Sequence, residues 1–91
     1  MPSKLNKLPI GNENKVDAVI HSSAELGSLI RDRRKRLALK QLDLAGLGNT
    51  GNRFIVDVEN GKPTVQLQKV LELMGLLGLE VVVRIRAARM P

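Results

Sequence analysis

A six-residue break, 46-GLGNTG-51, separates two short stretches whose apolar residues recur at helical spacing. Three glycines in six positions do not sustain a helix and do not suit a buried strand. The spacing G-x-G-x-x-G is that of a dinucleotide-binding loop, which works only where a strand runs in and a helix runs out inside a βαβ unit. Here both flanks read as helix. Upstream, 41-QLDLAGLG-48 offers Leu44, Ala45 and Leu47 or Gly48 as the inner side of two turns; downstream, 51-GNRFIVDVENG-61 spaces Ile55 and Val58 three apart and Phe54 and Val58 four apart. No Gly-Lys-Ser or Gly-Lys-Thr follows, as a phosphate-cradling loop requires. The pattern therefore predicts a tight helix–turn–helix. In it Gly46 and Gly48 permit close backbone approach, Asn49 takes the left-handed conformation, and Gly51 is the N-cap of the second helix.

The segments around this corner complete a mainly α body. In 23-SAELGSLIRDRRKRLAL-39, Leu26, Ile30 and Leu37 form one helical stripe with Leu29 beside it, Ser22 or Ser23 can cap, and Glu25 favours the first turn. Gly61 and Pro63 stop the helix after the corner. Thr64 is placed to cap 65-VQLQKVLELMGLL-77, where Leu67, Val70, Leu71 and Met74 have i, i+3, i+4, i+7 spacing and Gly78 suits the end. Last, 79-LEVVVRIR-86 alternates with period two and is rich in β-branched residues, which predicts a strand. A lone strand leaves its backbone unpaired. Its partner is either the same strand of a second copy, through Val81, Val82, Val83 and Ile85, or the stretch 15-KVDAVI-20 of the same chain. Three regions result: an irregular arm at 1–22, a helical body at 23–78, and a strand and tail at 79–91.

With 91 residues the chain is one domain at most, small enough for a second copy to help its stability. There is no cysteine, hence no disulfide framework, thiolate metal site or cysteine nucleophile. His21 is the single histidine, with no set of partners for a metal, and no serine sits in a legible catalytic constellation. No enzyme, cofactor or metal is expected. The net charge of +6 points instead to a polyanionic partner. Phe54 is the only aromatic residue, which argues against single-strand recognition by base stacking. No apolar run approaches the roughly 20 residues of a membrane span, and no secretory apolar region opens the chain, so a cytoplasmic location is expected.

The run 41-QLDLAGLGNTGNRFIVDVENGKP-63 resembles the helix-turn-helix of the phage-repressor (Cro/repressor, XRE-like) family. Gln41, Leu44, Ala45, Ile55, Glu59 and Gly61 match its pattern at the family's spacing. The upstream helix carrying Arg34 and the segment 64-TVQLQKVLELMGLLGL-79 match as well, so the resemblance spans residues 24 to 79. With the C-terminal strand added, the chain looks most like HipB-type antitoxins, the DNA-binding partners of HipA-type kinase toxins. Three positions depart from the family: its turn glycine is Asn49 here, its Ser or Thr before the first Gln is Lys40, and the glycine that often ends its first helix is Ala38.

The resemblance implies a lambda-repressor-like bundle of four or five short helices with one C-terminal β-strand. Its second motif helix would lie in the major groove. Carried over position by position, Asn52, Arg53 and Asp57, with Val56 nearby, would face the bases: Arg53 donating to guanine, Asn52 pairing with adenine, Asp57 accepting from a cytosine amine. Gln41 would meet a phosphate, with Asn60, Lys62 and Thr64 in similar roles and Lys40 an addition peculiar to this chain. Arg34 and Glu59 would form a structural ion pair. The run 31-RDRRKR-36 points all round a helix and so forms no single binding face.

Together these expectations describe a homodimeric repressor on a palindromic operator, the antitoxin of a HipA-like serine/threonine kinase. Three alternatives remain open. One is a protein-interaction module with little DNA-binding role; another is a stand-alone phage-type repressor. A basic amphipathic helix on a membrane surface is the weakest rival.

Overall fold

The computed structural model describes residues 17–86. Residues 1–16 of the expected arm and 87–91 of the expected tail lie outside the described residues. Four helices follow one another: α1 (Ser23–Arg36), α2 (Gln41–Leu47), α3 (Asn52–Glu59) and α4 (Leu67–Leu76).

Each start has a local cause. Ser22 Oγ accepts from the Glu25 backbone N–H at 3.1 Å, while Glu25 Oε1 accepts from the His21 backbone N–H at 2.6 Å, so the opening turn of α1 is satisfied from both directions. At α2 the N-cap is Lys40, whose side chain has no acceptor to offer. Asp43 compensates by reaching back to accept from the Lys40 backbone N–H at 2.8 Å. Gly51 caps α3 in an extended conformation without a side-chain bond. Thr64 does not cap α4: the N-cap is Gln66, because residues 63–65 still turn after α3.

All four helices end alike. The residue two beyond the last helical position has positive φ: Ala38 (60°), Asn49 (53°), Gly61 (81°) and Gly78 (75°). Around each, the following amide bonds back six to one: Leu39 N–H to Arg34 O, Thr50 N–H to Ala45 O, Lys62 N–H to Asp57 O, and Leu79 N–H to Met74 O. This C-terminal motif satisfies carbonyls that would otherwise lack partners and reverses the chain at once. Short connections between short helices are the result.

The core lies where the four helices meet: Ile30 from α1, Leu44 and Ala45 from α2, Ile55 and Val58 from α3, Val70, Leu73 and Met74 from α4, and Leu77 just beyond it. Ile30, Leu44, Ile55 and Leu77 are sealed from solvent, and trimming any of them to alanine costs about 2–5 kcal/mol. Four expected inner positions lie outside. Leu37 is exposed because α1 has already ended at Arg36, and Leu47 is exposed on the outer side of α2. On α4 the buried set is Val70, Leu73, Met74 and Leu77, whereas Leu67 and Leu71 face solvent. The apolar residues of 65–77 crowd nearly every face, so helical periodicity there admits more than one stripe.

The glycines divide differently from expectation. Gly46 has open space where a Cβ would stand, and at Gly48 the nearest atom is 3.4 Å away. Close approach occurs at Gly27 instead, where a Cβ would lie 2.3 Å from the Val58 carbonyl oxygen and 2.8 Å from that of Glu59. The backbones of α1 and α3 touch there.

Among the described residues there is no β-strand. The expected strand at 79–86 has no helix or ladder, and residues 17–20, part of the alternative pairing stretch, form none either. A strand exists only as part of a hydrogen-bonded ladder, and the described part of a single chain provides no partner. Leu79 packs against the core, but Val81, Val82, Val83 and Ile85 are 56%, 68%, 92% and 87% exposed.

Candidate nucleic-acid interface

The corner at Asn49 breaks the chain between α2 and α3, and the first two residues of α3 carry polar side chains outward. Asn52 and Arg53 are both exposed at the start of α3, and the opposite side of that helix buries Ile55, Val58 and Glu59. Val56 and Asp57 are half-buried between these two faces. Phe54 packs on the edge of the core with Lys69 Nζ 5.9 Å from its ring centroid, a packing position rather than a contact surface.

Behind α3 stands a buried charge network. Arg34 Nε donates to Glu59 Oε2 at 2.6 Å and Arg34 Nη2 to Glu59 Oε1 at 3.1 Å, a bidentate pair between residues 6% and 7% exposed. Arg34 Nη1 also donates to the Leu39 carbonyl at 2.6 Å, which ties the turn after α1 into the same cluster. Gln41 Nε2 donates to Glu59 Oε1 at 3.0 Å. The first residue of α2 is thereby bonded to the last residue of α3 by a route that spacing alone did not suggest.

Two further contacts fix α3 against the start of α1. Ser23 Oγ donates to the Gly61 carbonyl at 2.8 Å, and a Cβ on Gly61 would lie 2.6 Å from Ala24 Cα. Gly61 thus serves twice, as the left-handed residue and as a point of backbone contact. Arg33 Nε donates to the Leu77 carbonyl at 2.7 Å, placing a cation on the C-terminal end of α4 where the helix dipole favours it.

Of the expected phosphate contacts, Lys40, Asn60, Lys62 and Thr64 are exposed and Gln41 is half-buried by its bond to Glu59. Lys62 turns toward α3, with Nζ 3.6 Å from Asp57 Oδ2, and Arg53 Nε lies 3.1 Å from Asp57 Oδ1. Sequence reasoning missed Gly27, Ser23, Arg33 and the reach of Asp43. Gly27 left one trace: an isolated glycine inside a helical pattern commonly has a packing reason.

No protein-family model matches the chain. It is similar to an uncharacterized HTH-type transcriptional regulator, y4mF, of Sinorhizobium fredii, being 47% identical over 62 residues that span 68% of this chain and 82% of that one. Among solved structures it superposes on one of a HipB–O4 20mer complex with a TM-score of 0.71 at 18% identity, over 77% of this chain and 99% of that one. A structure of a HipA–HipB–O2–O3 complex gives the same TM-score of 0.71, at 18% identity and the same shares of 77% and 99%. At that identity the likeness is one of fold, a helix-turn-helix bundle shared over most of the chain.

Proposed function

Because the chain belongs to the helix-turn-helix transcriptional regulators, we propose that it is a repressor that binds double-stranded DNA in a sequence-specific manner. The carrying observation is the exposure of Asn52 and Arg53 at the front of a helix whose other face is anchored by Glu59 and Gly61 to α1. Such a helix presents donors outward in a fixed orientation, as major-groove reading requires. Asn52 and Arg53 address base edges, with Val56 and Asp57 on the same side. Gln41, Lys40, Asn60, Lys62 and Thr64 approach phosphates. The net charge of +6 adds attraction that carries no sequence information.

In this reading residues 23–78 form the DNA-binding body, 1–22 an arm, and 79–91 the dimerisation segment. Val81, Val82, Val83 and Ile85 pair with their equivalents in a second copy about a two-fold axis, which supplies the missing ladder. Two reading helices then meet a palindromic operator at half-sites about one helical turn apart. Occupancy of a promoter by the dimer blocks access to it.

An antitoxin role is favoured by one finding, the shared fold with HipB in a complex that also contains HipA. The chain would then hold a HipA-like kinase inactive and repress its own operon together with it. A regulator at work on DNA is also in keeping with a cytoplasmic, nucleoid-associated place; among the described residues no helix is long and apolar enough to cross a membrane.

The test is selection of duplexes of about 20 base pairs from a randomised pool by the full chain, followed by titration of the enriched duplex. Log affinity is expected to fall with log salt by about 0.9 per phosphate contacted. Arg53→Ala is expected to lose discrimination at the base pair it reads while leaving the dimer intact. Equal selectivity in that variant and its parent rejects the groove assignment.

A further inference from the structure

Arg53 and Asp57 stand one helical turn apart on α3, so a cation and a carboxylate share its outward side. Arg53 Nε lies 3.1 Å from Asp57 Oδ1, with 84% of the arginine side chain exposed and 16% of the aspartate's. The other carboxylate oxygen faces Lys62 Nζ at 3.6 Å, from the loop that follows the helix. With its arginine in solvent, a pair of this kind adds little to folding, since water screens the cation and side-chain entropy opposes holding it. Its effect is on direction. Nε is the guanidinium nitrogen paired with the Asp57 carboxylate. Nη1 and Nη2 form a planar fork at the far end of the side chain.

The geometry assigns Asp57 the part of a positioning residue, resting on the DNA-binding reading above. It holds Arg53 by Nε so that Nη1 and Nη2 address O6 and N7 of one guanine end-on, and it contacts no base itself. The Asp57 side chain is 16% exposed against 84% for Arg53, so the carboxylate lies deeper than the guanidinium that reaches out past it. Lys62 has the second part. Beside Arg53 it leaves the three side chains with a net positive charge, so the aspartate does not repel the phosphates on either side of the groove. One guanine per half-site is therefore read by three side chains, of which one touches it.

The experiment uses the full chain, the duplex of about 20 base pairs that it enriches from a randomised pool, and all single base-pair substitutions of that duplex. Arg53→Ala is expected to lose about tenfold or more in discrimination at one G·C pair of each half-site. Asp57→Ala is expected to lose discrimination at that same pair, and the double variant no more than Arg53→Ala alone. Asp57→Asn keeps an uncharged acceptor and falls between Asp57→Ala and the parent. Thermal melts of the variants matching the parent's show that the fold is kept.

If Asp57→Ala relaxes a different base pair, and its losses add to those of Arg53→Ala, the aspartate reads a base and the assignment is wrong. Uniformly tighter binding with unchanged discrimination overturns it too, because the carboxylate is then only a repelling charge. A parent chain that enriches no duplex rejects the DNA-binding reading itself, and this assignment falls with it.

Discussion

Arg34 shows how much one side chain can be asked to hold. It bonds Glu59 twice and the Leu39 carbonyl once, all within a region from which water is nearly excluded. Removing one partner leaves a buried charge without compensation, so Arg34→Met is expected to lower unfolding free energy by about 3–5 kcal/mol in urea titrations. The double replacement Arg34→Met with Glu59→Met is expected to be milder than either single change, since no charge is then stranded. A double variant that unfolds more readily than both singles would show that the pair is a net source of stability. Ala38 offers the opposite case. Its φ of 60° is a conformation that Cβ disfavours, and Ala38→Gly is expected to gain about 0.5–1 kcal/mol in the same assay.

At the scale of the helix, two glycines of the same composition predict opposite outcomes. Gly27→Ala forces a methyl against the Val58 and Glu59 carbonyls, so α1 and α3 must part, at about 1–3 kcal/mol or more. Gly46→Ala meets nothing within 4 Å on a helix surface and is expected to stabilise by about 0.5–1 kcal/mol. Chemical denaturation at fixed protein concentration measures both. The same pair shows what a sequence can and cannot convey. That 46–51 is a corner was legible, because glycines and Asn49 act through local backbone sterics. Which glycine lies under another helix was not, because Gly27 meets Val58 across 31 positions and proximity leaves no local pattern. The inner side of α4 was obscured by apolar residues on nearly all its faces, and the packing of Leu77 rather than Leu67 decided it. The spacing of Arg34 and Glu59 carries no trace of their contact, and only likeness to a known motif pointed to it. The strand expected at 79–86 is not seen in the single chain for a different reason: alternation describes a side-chain pattern, and a ladder needs a second backbone as well.

For the molecule as a whole, the exposed valines and isoleucine after Leu79 set the state of assembly in the proposed repressor. Val83→Asp with Ile85→Asp is expected to convert a dimer to a monomer in sedimentation, and to abolish the dependence of Tm on protein concentration. A dimer that survives this change must be built elsewhere. What the monomer already contains is a long seam between α1 and α3. Ser23 on Gly61, Ala24 beneath it, Gly27 under Val58 and Arg34 on Glu59 fasten α1 along its length to the C-terminal end of α3 and the turn after it. Neither can roll or slide without opening several of these fasteners together. Helix α3 is thus gripped at the end away from the corner, and Asn52 and Arg53 project from the opposite one.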